Sequence, residues 1–215
     1  MTASAEKPAS RARAAAEAPP RAADRIRATV RDLFYRQGIR AVGIEEIVER
    51  AGVTKPSLYR NFASKDELAA AYLRDYDVDF WGRFNAIVAQ HPGDPRAQVL
   101  GYFTGLGVRS QSAEYRGCGM TNAAVEFPDK DNPARLVAVE NKRELRRRFT
   151  ELAQAMGAAE PEILGDGLYL LAEGAYSSGQ LFGEGGPSRS LAAAAERLID
   201  ACLKQTGASR IDHAG

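Results

Sequence analysis

"VTKPSLYRNFASKDEL", Val53 to Leu68, offers only Leu58 and Phe62 as clear core-seeking side chains, four apart and therefore on one face of a helix. The opposite face is left to Lys55, Ser57, Tyr59, Arg60 and Asn61, all of which donate hydrogen bonds that phosphate oxygens accept. Thr54 stands where a side chain caps a helix start, and Pro56 falls in the first turn, where a missing N–H costs nothing. The pattern predicts a short helix over Thr54 to Phe62, anchored on one side and presenting donors on the other.

Working outward, "RAADRIRATVRDLFYRQG" places Ile26, Val30, Leu33 and Phe34 at i, i+4, i+7 and i+8, an amphipathic helix closed by Gly38. "IEEIVERAG" gives a second, short helix with Ile44, Ile47, Val48 and Ala51 on one face, Gly43 as its N-cap and Gly52 at its end. After the donor-rich helix, Ser64 and Glu67 form a capping box that opens a long fourth helix. It runs through Leu68, Tyr72, Leu73, Tyr76, Phe80, Trp81 and Phe84 to about Gln90. Further helices are expected over 95–110, 118–127, 132–157, 160–183 and 188–206, without strand alternation or internal repeat. The chain is therefore expected to be all-α, with about nine helices.

Two short helices joined by a glycine-containing turn, the second crowded with polar groups at its start, are the signature of a helix-turn-helix. In that arrangement Lys55 reaches a guanine edge or a phosphate, and Pro56 offers an apolar contact to a thymine methyl. Ser57, Tyr59, Asn61 and Lys65 hold phosphates, and Thr54 caps the helix that carries them. The stretch "GIRAVGIEEIVERAGVTKPSLYRNFASKDEL", Gly38 to Leu68, resembles the tetracycline-repressor-like (TetR) family of bacterial transcription regulators. The resemblance covers roughly residues 22 to 70. It implies a DNA-binding domain over 21–66 carried on a larger helical ligand-binding and dimerisation domain over 67–207. Gly43 stands where that family commonly has a Ser or Thr cap, and Pro56 where glycine is common, so the operator sequence does not carry over.

The bulk numbers agree with a soluble globular protein: 215 residues, 45% hydrophobic and 27% charged. Net charge is +1, but residues 1–62 hold 12 Lys and Arg against 7 Asp and Glu, which makes that end +5 and the remainder −4. Such asymmetry points to a polyanion-binding end. Residues 1–20, rich in Ala, Pro, Ser and Arg, bury too little to offset chain entropy and are expected to be a disordered arm, with 208–215 a disordered tail. Cys118 and Cys202 lie far apart without a Cys/His cluster, so neither a metal site nor a disulfide framework is expected. No secretory or membrane-spanning run is present, and a cytoplasmic protein is expected.

The remaining two-thirds must supply dimerisation, since one module of this size makes too few contacts for tight specific binding. "LYLLAEGAYSSGQLF" and "LAAAAERLIDACL", in the last two helices, mix small residues with Leu and Ile and are the expected homodimer surface. For a small-molecule effector, the candidate pocket residues are Trp81, Phe84, Phe103, Cys118, Asn122, Glu126 and Tyr176. Cys118, Asn122 and Glu126 share one helical stripe as polar anchors, and Cys118, near Arg116 at a helix start, is a candidate thiolate sensor. The basic run "ENKRELRRRF", Glu140 to Phe149, reads as the wet face of a helix. No Ser/His/Asp arrangement, metal-spaced ligand set or glycine loop after a strand supports catalysis or a cofactor. The expected function is a homodimeric repressor that binds a palindromic double-stranded DNA operator and is released by an effector. The alternative is a helical small-molecule-binding protein or enzyme with a vestigial helix-turn-helix.

Overall fold

A computed structural model describes residues 20–208, and both expected disordered ends, 1–20 save its last residue and 208–215 save its first, lie outside the described residues. Among the described residues every regular element is helical, as expected. The order is α1 (Ala22–Gln37), α2 (Ile44–Ala51), α3 (Lys55–Asn61), α4 (Lys65–Gln90), α5 (Pro95–Arg109), α6 (Gly119–Glu126), α7 (Pro133–Ala155), α8 (Pro161–Phe182) and α9 (Leu191–Ala208). The last expected helix starts three residues late, because Pro187–Ser190 forms a separate 3₁₀ turn before it.

The local chemistry explains the boundaries. Gly52 takes φ 60° and ψ 41°, the left-handed cap that ends α2, so the chain turns at once into α3. The Thr54 hydroxyl accepts from the Ser57 N–H at 3.3 Å, and the Ser64 hydroxyl accepts from the Glu67 N–H at 3.1 Å. Asp94 and Asn132 cap α5 and α7 in the same way. Ile26, Val30, Leu33, Ile39, Val42, Ile47 and Leu58 then close a small core among the first three helices. Leu68 and Leu73, at the start of α4, join it to the rest.

The larger part of the chain packs around aromatic rings. Phe103 stacks on Phe149 at 5.7 Å and 11°, and Tyr102 meets Phe149 edge-on at 5.3 Å. Phe84 of α4 leans on Tyr102 at 5.6 Å, so the far half of α4 belongs to this cluster while its near half belongs to the first. α7 and α8 run against each other so closely that a Cβ on Gly165 would come within 2.8 Å of the Thr150 Cα. One long helix thus has an end in each core.

Phe149 is fully buried and touches three other rings, so Phe149→Ala is expected to cost about 3–5 kcal/mol of unfolding free energy. Val78, 72% exposed on α4, is the control, and Val78→Ala should stay within about 0.5 kcal/mol. Urea titration of both variants at one protomer concentration is the measurement.

Candidate nucleic-acid interface and adjoining cavity

α3 is held from below and open from above. Leu58 is fully buried under it, and Phe62, its C-cap, is covered by the Arg27 guanidinium at 5.7 Å from the ring centre. Lys55, Pro56, Tyr59 and Asn61 are exposed, Tyr59 at 43% of its surface, and Ser57 is half-buried. Asn61 Nδ2 donates to the Ser57 carbonyl at 2.7 Å, which fixes its amide along the helix. Lys55 Nζ lies 2.7 Å from Glu45 Oε1 of α2. The hydrogen bond between them raises the Lys55 pKa and lowers that of Glu45, so both stay charged. Such an exposed pair is weak, and a phosphate or base edge can replace Glu45. Lys65 differs: it is half-buried, its Nζ donates to the Arg40 carbonyl at 3.1 Å, and burial lowers its pKa despite Glu126 and Asp66 nearby.

Beside this unit lies a cavity of about 510 Å³, walled by α1, α4, α5 and the loop before α6, with Tyr176 of α8 at its back. α1 contributes Arg31, Tyr35 and Arg36; α4 contributes Tyr72, Tyr76 and Phe80. Tyr35 is pinned, its hydroxyl donating to the Gly117 carbonyl at 3.3 Å and accepting from the Arg116 N–H at 3.1 Å. The Tyr102 and Tyr176 hydroxyls bond each other at 2.5 Å. Tyr72 and Tyr115 are different, because their hydroxyl oxygens are shielded from solvent without any hydrogen-bond partner among the described residues. Burial pushes the pKa of Tyr72, Tyr76, Tyr115 and Tyr176 upward, so all four remain neutral phenols.

Of the seven residues expected in a pocket, Tyr176 lines this cavity. Asn122 and Glu126 join Tyr176 in a second groove beside the end of α1. There Glu126 accepts from the Arg40 N–H at 2.8 Å and Asn122 Nδ2 donates to the Arg116 carbonyl at 2.6 Å, so both tie loops together. The structure places Phe84 and Phe103 in the aromatic core, and Trp81 under the Arg148 guanidinium at 4.2 Å. Cys118 is 1% exposed at the start of α6, with Lys142 Nζ 3.4 Å from its sulfur and Lys142 itself 2.7 Å from Glu173. Sequence reading missed Tyr35, Tyr72, Tyr115, Arg83 and Arg109. The one available signal was tyrosine where phenylalanine would serve the helical pattern, since a buried phenol needs a partner that a phenyl ring does not.

The basic run of α7 is spent on acids: Arg146 pairs with Asp166, Arg147 with Glu144 and Glu151, and Arg148 with Glu144. Among the described residues there is no cluster of His, Cys, Asp and Glu that could hold a metal, and no helix long and apolar enough to cross a membrane.

Comparison with known proteins bears on this arrangement. Residues 26–72 match the pattern of "Bacterial regulatory proteins, tetR family", which spans α1 to the first turns of α4. The chain is 37% identical over 57 residues to the HTH-type transcriptional repressor KstR2 of Rhodococcus jostii, covering 26% of this chain and 28% of that protein. It is 49% identical over 43 residues to the HTH-type transcriptional activator FasR of Mycolicibacterium smegmatis, covering 20% of each. These alignments span less than a third of either relative's length. Beyond the matched segment, the crystal structure of a TetR-family transcriptional regulator from Streptomyces coelicolor superposes with a TM-score of 0.75 at 28% identity, covering 86% of this chain and 95% of that one. The segment 26–72 thus carries the pattern of the tetR family of bacterial regulatory proteins, and the chain as a whole shares the fold of a solved TetR-family regulator.

Proposed function

We propose that the chain is a homodimeric, ligand-responsive repressor, with residues 21–66 reading a palindromic operator and 67–207 forming the effector and dimerisation domain. The observation that carries this reading is that α1 serves both halves: it packs against α3 and, with α4, walls the 510 Å³ cavity. A ligand that fills the cavity bears directly on α1, which packs against the recognition helix, and on α4, which follows it in the chain. Thr54, Lys55, Pro56, Ser57, Tyr59, Asn61 and Lys65 remain the proposed DNA-contacting set, with Lys65 acting mainly by holding the Arg40 loop. The repressor sense rests on the relative named as a repressor over 57 matched residues; the shorter FasR match is to a protein named as an activator.

The dimer surface is supported by an outward stripe on α8. Ile163, Leu170, Gly174, Ser177 and Leu181 are all exposed and recur every three to seven residues along one side of the helix, with Ile163 at 58%, Leu170 at 67% and Leu181 at 74%. Beside it α9 exposes Ala194 and Ala201. Bulky residues on one helix facing small ones on its neighbour let two such pairs interlock as a four-helix bundle around a two-fold axis.

Anisotropy titrations with DNA from beside the chain's own gene test the operator claim. Tyr59→Ala should weaken all operator variants alike, whereas Lys55→Ala should relax sequence preference by about tenfold and lower the salt slope by up to about one. Equal affinity, preference and salt slope for both variants and the wild type would remove α3 from the interface. Ala194→Glu should lose dimer and tight operator binding together, with half-sites spaced by about 34–36 Å or a multiple in the wild-type operator. Sedimentation showing a wild-type monomer at micromolar concentration that still binds tightly would overturn the dimer reading.

A further inference from the structure

We infer that the cavity takes a small aromatic carboxylate, its charge met by Arg83 and Arg109 and its ring body laid against Phe80, Leu106 and the tyrosine rings. This rests on the effector role proposed for the cavity, and adds the chemistry of the effector.

The charges in the wall decide the sign. Its three acids are already engaged: Asp79 by Arg31, and Asp32 and Glu114 by Arg36 at 2.5 and 3.2 Å. Arg83 and Arg109 also line the cavity, and among the described residues neither has an acidic partner. Arg109 is half-buried at the end of α5, where a guanidinium has lost part of its water without gaining a counter-charge. An anion supplies what is missing, and a cationic ligand is repelled by the four arginines of the wall.

The apolar part of the wall narrows the choice further. A carboxylate has two oxygens and several lone pairs, enough to accept from both guanidinium groups together. Phe80 and Leu106 give the wall an apolar part that a polyphosphate or a simple inorganic anion could not use. The volume suits a ligand of two fused or linked rings with room to spare.

The same anion has a route to the DNA-binding unit. Arg31 and Arg36 belong to α1 and stand in the wall, so a bound carboxylate competes with Asp79 and Glu114 for them. Weakening those pairs loosens α1 from α4 and from the loop carrying Glu114.

The probes are 4-biphenylcarboxylate and the uncharged 4-biphenylcarboxamide, titrated calorimetrically into the full chain. The acid is expected to bind at least tenfold more tightly than the amide. Arg109→Met and Arg83→Met should each shrink that margin, and the double variant should bind acid and amide alike. Equal binding of the two probes to the wild type, no binding of either, or an undiminished acid preference in the double arginine variant overturns the inference. Operator binding measured without probe is a separate arm. A chain that binds operator but shows no acid preference keeps its regulatory role and loses the anion site, and one that prefers the acid but binds no operator does the reverse.

Discussion

Two arginine–aspartate rungs set the register of α1 on α4, the junction between the first three helices and the rest of the chain. Arg27 donates through one nitrogen to both oxygens of Asp75 at 2.7 Å, and one helical turn further Arg31 reaches Asp79. The members are four apart on both helices, so the two rungs fix the register of one helix on the other as well as their approach. Arg27 also lies over the Phe62 ring, which ties the same ladder to the end of the recognition helix. Each pair is substantially exposed, with side-chain exposures of 40% and 44% for the first and 66% and 36% for the second. Pairs of that kind contribute at most about 1 kcal/mol each. Their role is registration; the stability of the junction comes from buried contacts such as Phe34 against Tyr72, edge-on at 5.6 Å.

That division of labour suits a switch. A hundredfold change in operator affinity requires roughly 2.7 kcal/mol of coupling between the two sites. In the effector-driven release proposed above, opening both rungs would supply at most about 2 kcal/mol, which leaves the remainder to repacking at the buried face of α4. Tyr72 is placed for this, since it packs on Phe34 of α1 on one side and lines the cavity on the other. α4 is 26 residues long, about 39 Å at 1.5 Å per residue, and its far half is locked into the aromatic core by Phe84. α4 is thus fixed at one end and lightly latched at the other.

The legible parts of the sequence were those governed by local chemistry. Caps at Thr54 and Ser64, the left-handed Gly52 and the periodic Ile26, Val30, Leu33 and Phe34 each act over one or two turns, so their pattern places helices to within a few residues. The cavity was not legible, because its walls are brought together from positions as distant as Tyr35, Arg83, Tyr115 and Tyr176. Helical periodicity reports that a side chain faces inward and says nothing of whether space is left beside it. Phe84 and Phe103 satisfy that periodicity by filling the core, and Tyr72 satisfies it while bordering a void. Arg83 and Arg109 read as ordinary wet-face residues, since only the surrounding acids reveal that they lack partners.

The electrostatics of the whole chain follow from the same habit of internal pairing. The arginines of α7 are absorbed by Asp166, Glu144 and Glu151, so the most basic run in the sequence presents little free positive charge. The excess is left with residues 1–62, at +5 against −4 elsewhere, the charge balance expected if the α3 end meets a polyanion. Even there Lys55 is kept on Glu45 until a stronger acceptor arrives. On the operator-binding reading proposed above, DNA contact at this lysine is an exchange of one carboxylate for one phosphate or base edge, and its net gain is smaller than that of a free lysine. A recognition helix whose cation is already paired binds indifferent DNA weakly, and gains most where a base edge offers what Glu45 cannot, two acceptors side by side. On that reading, internal pairing at Lys55 shifts the balance from affinity toward sequence discrimination.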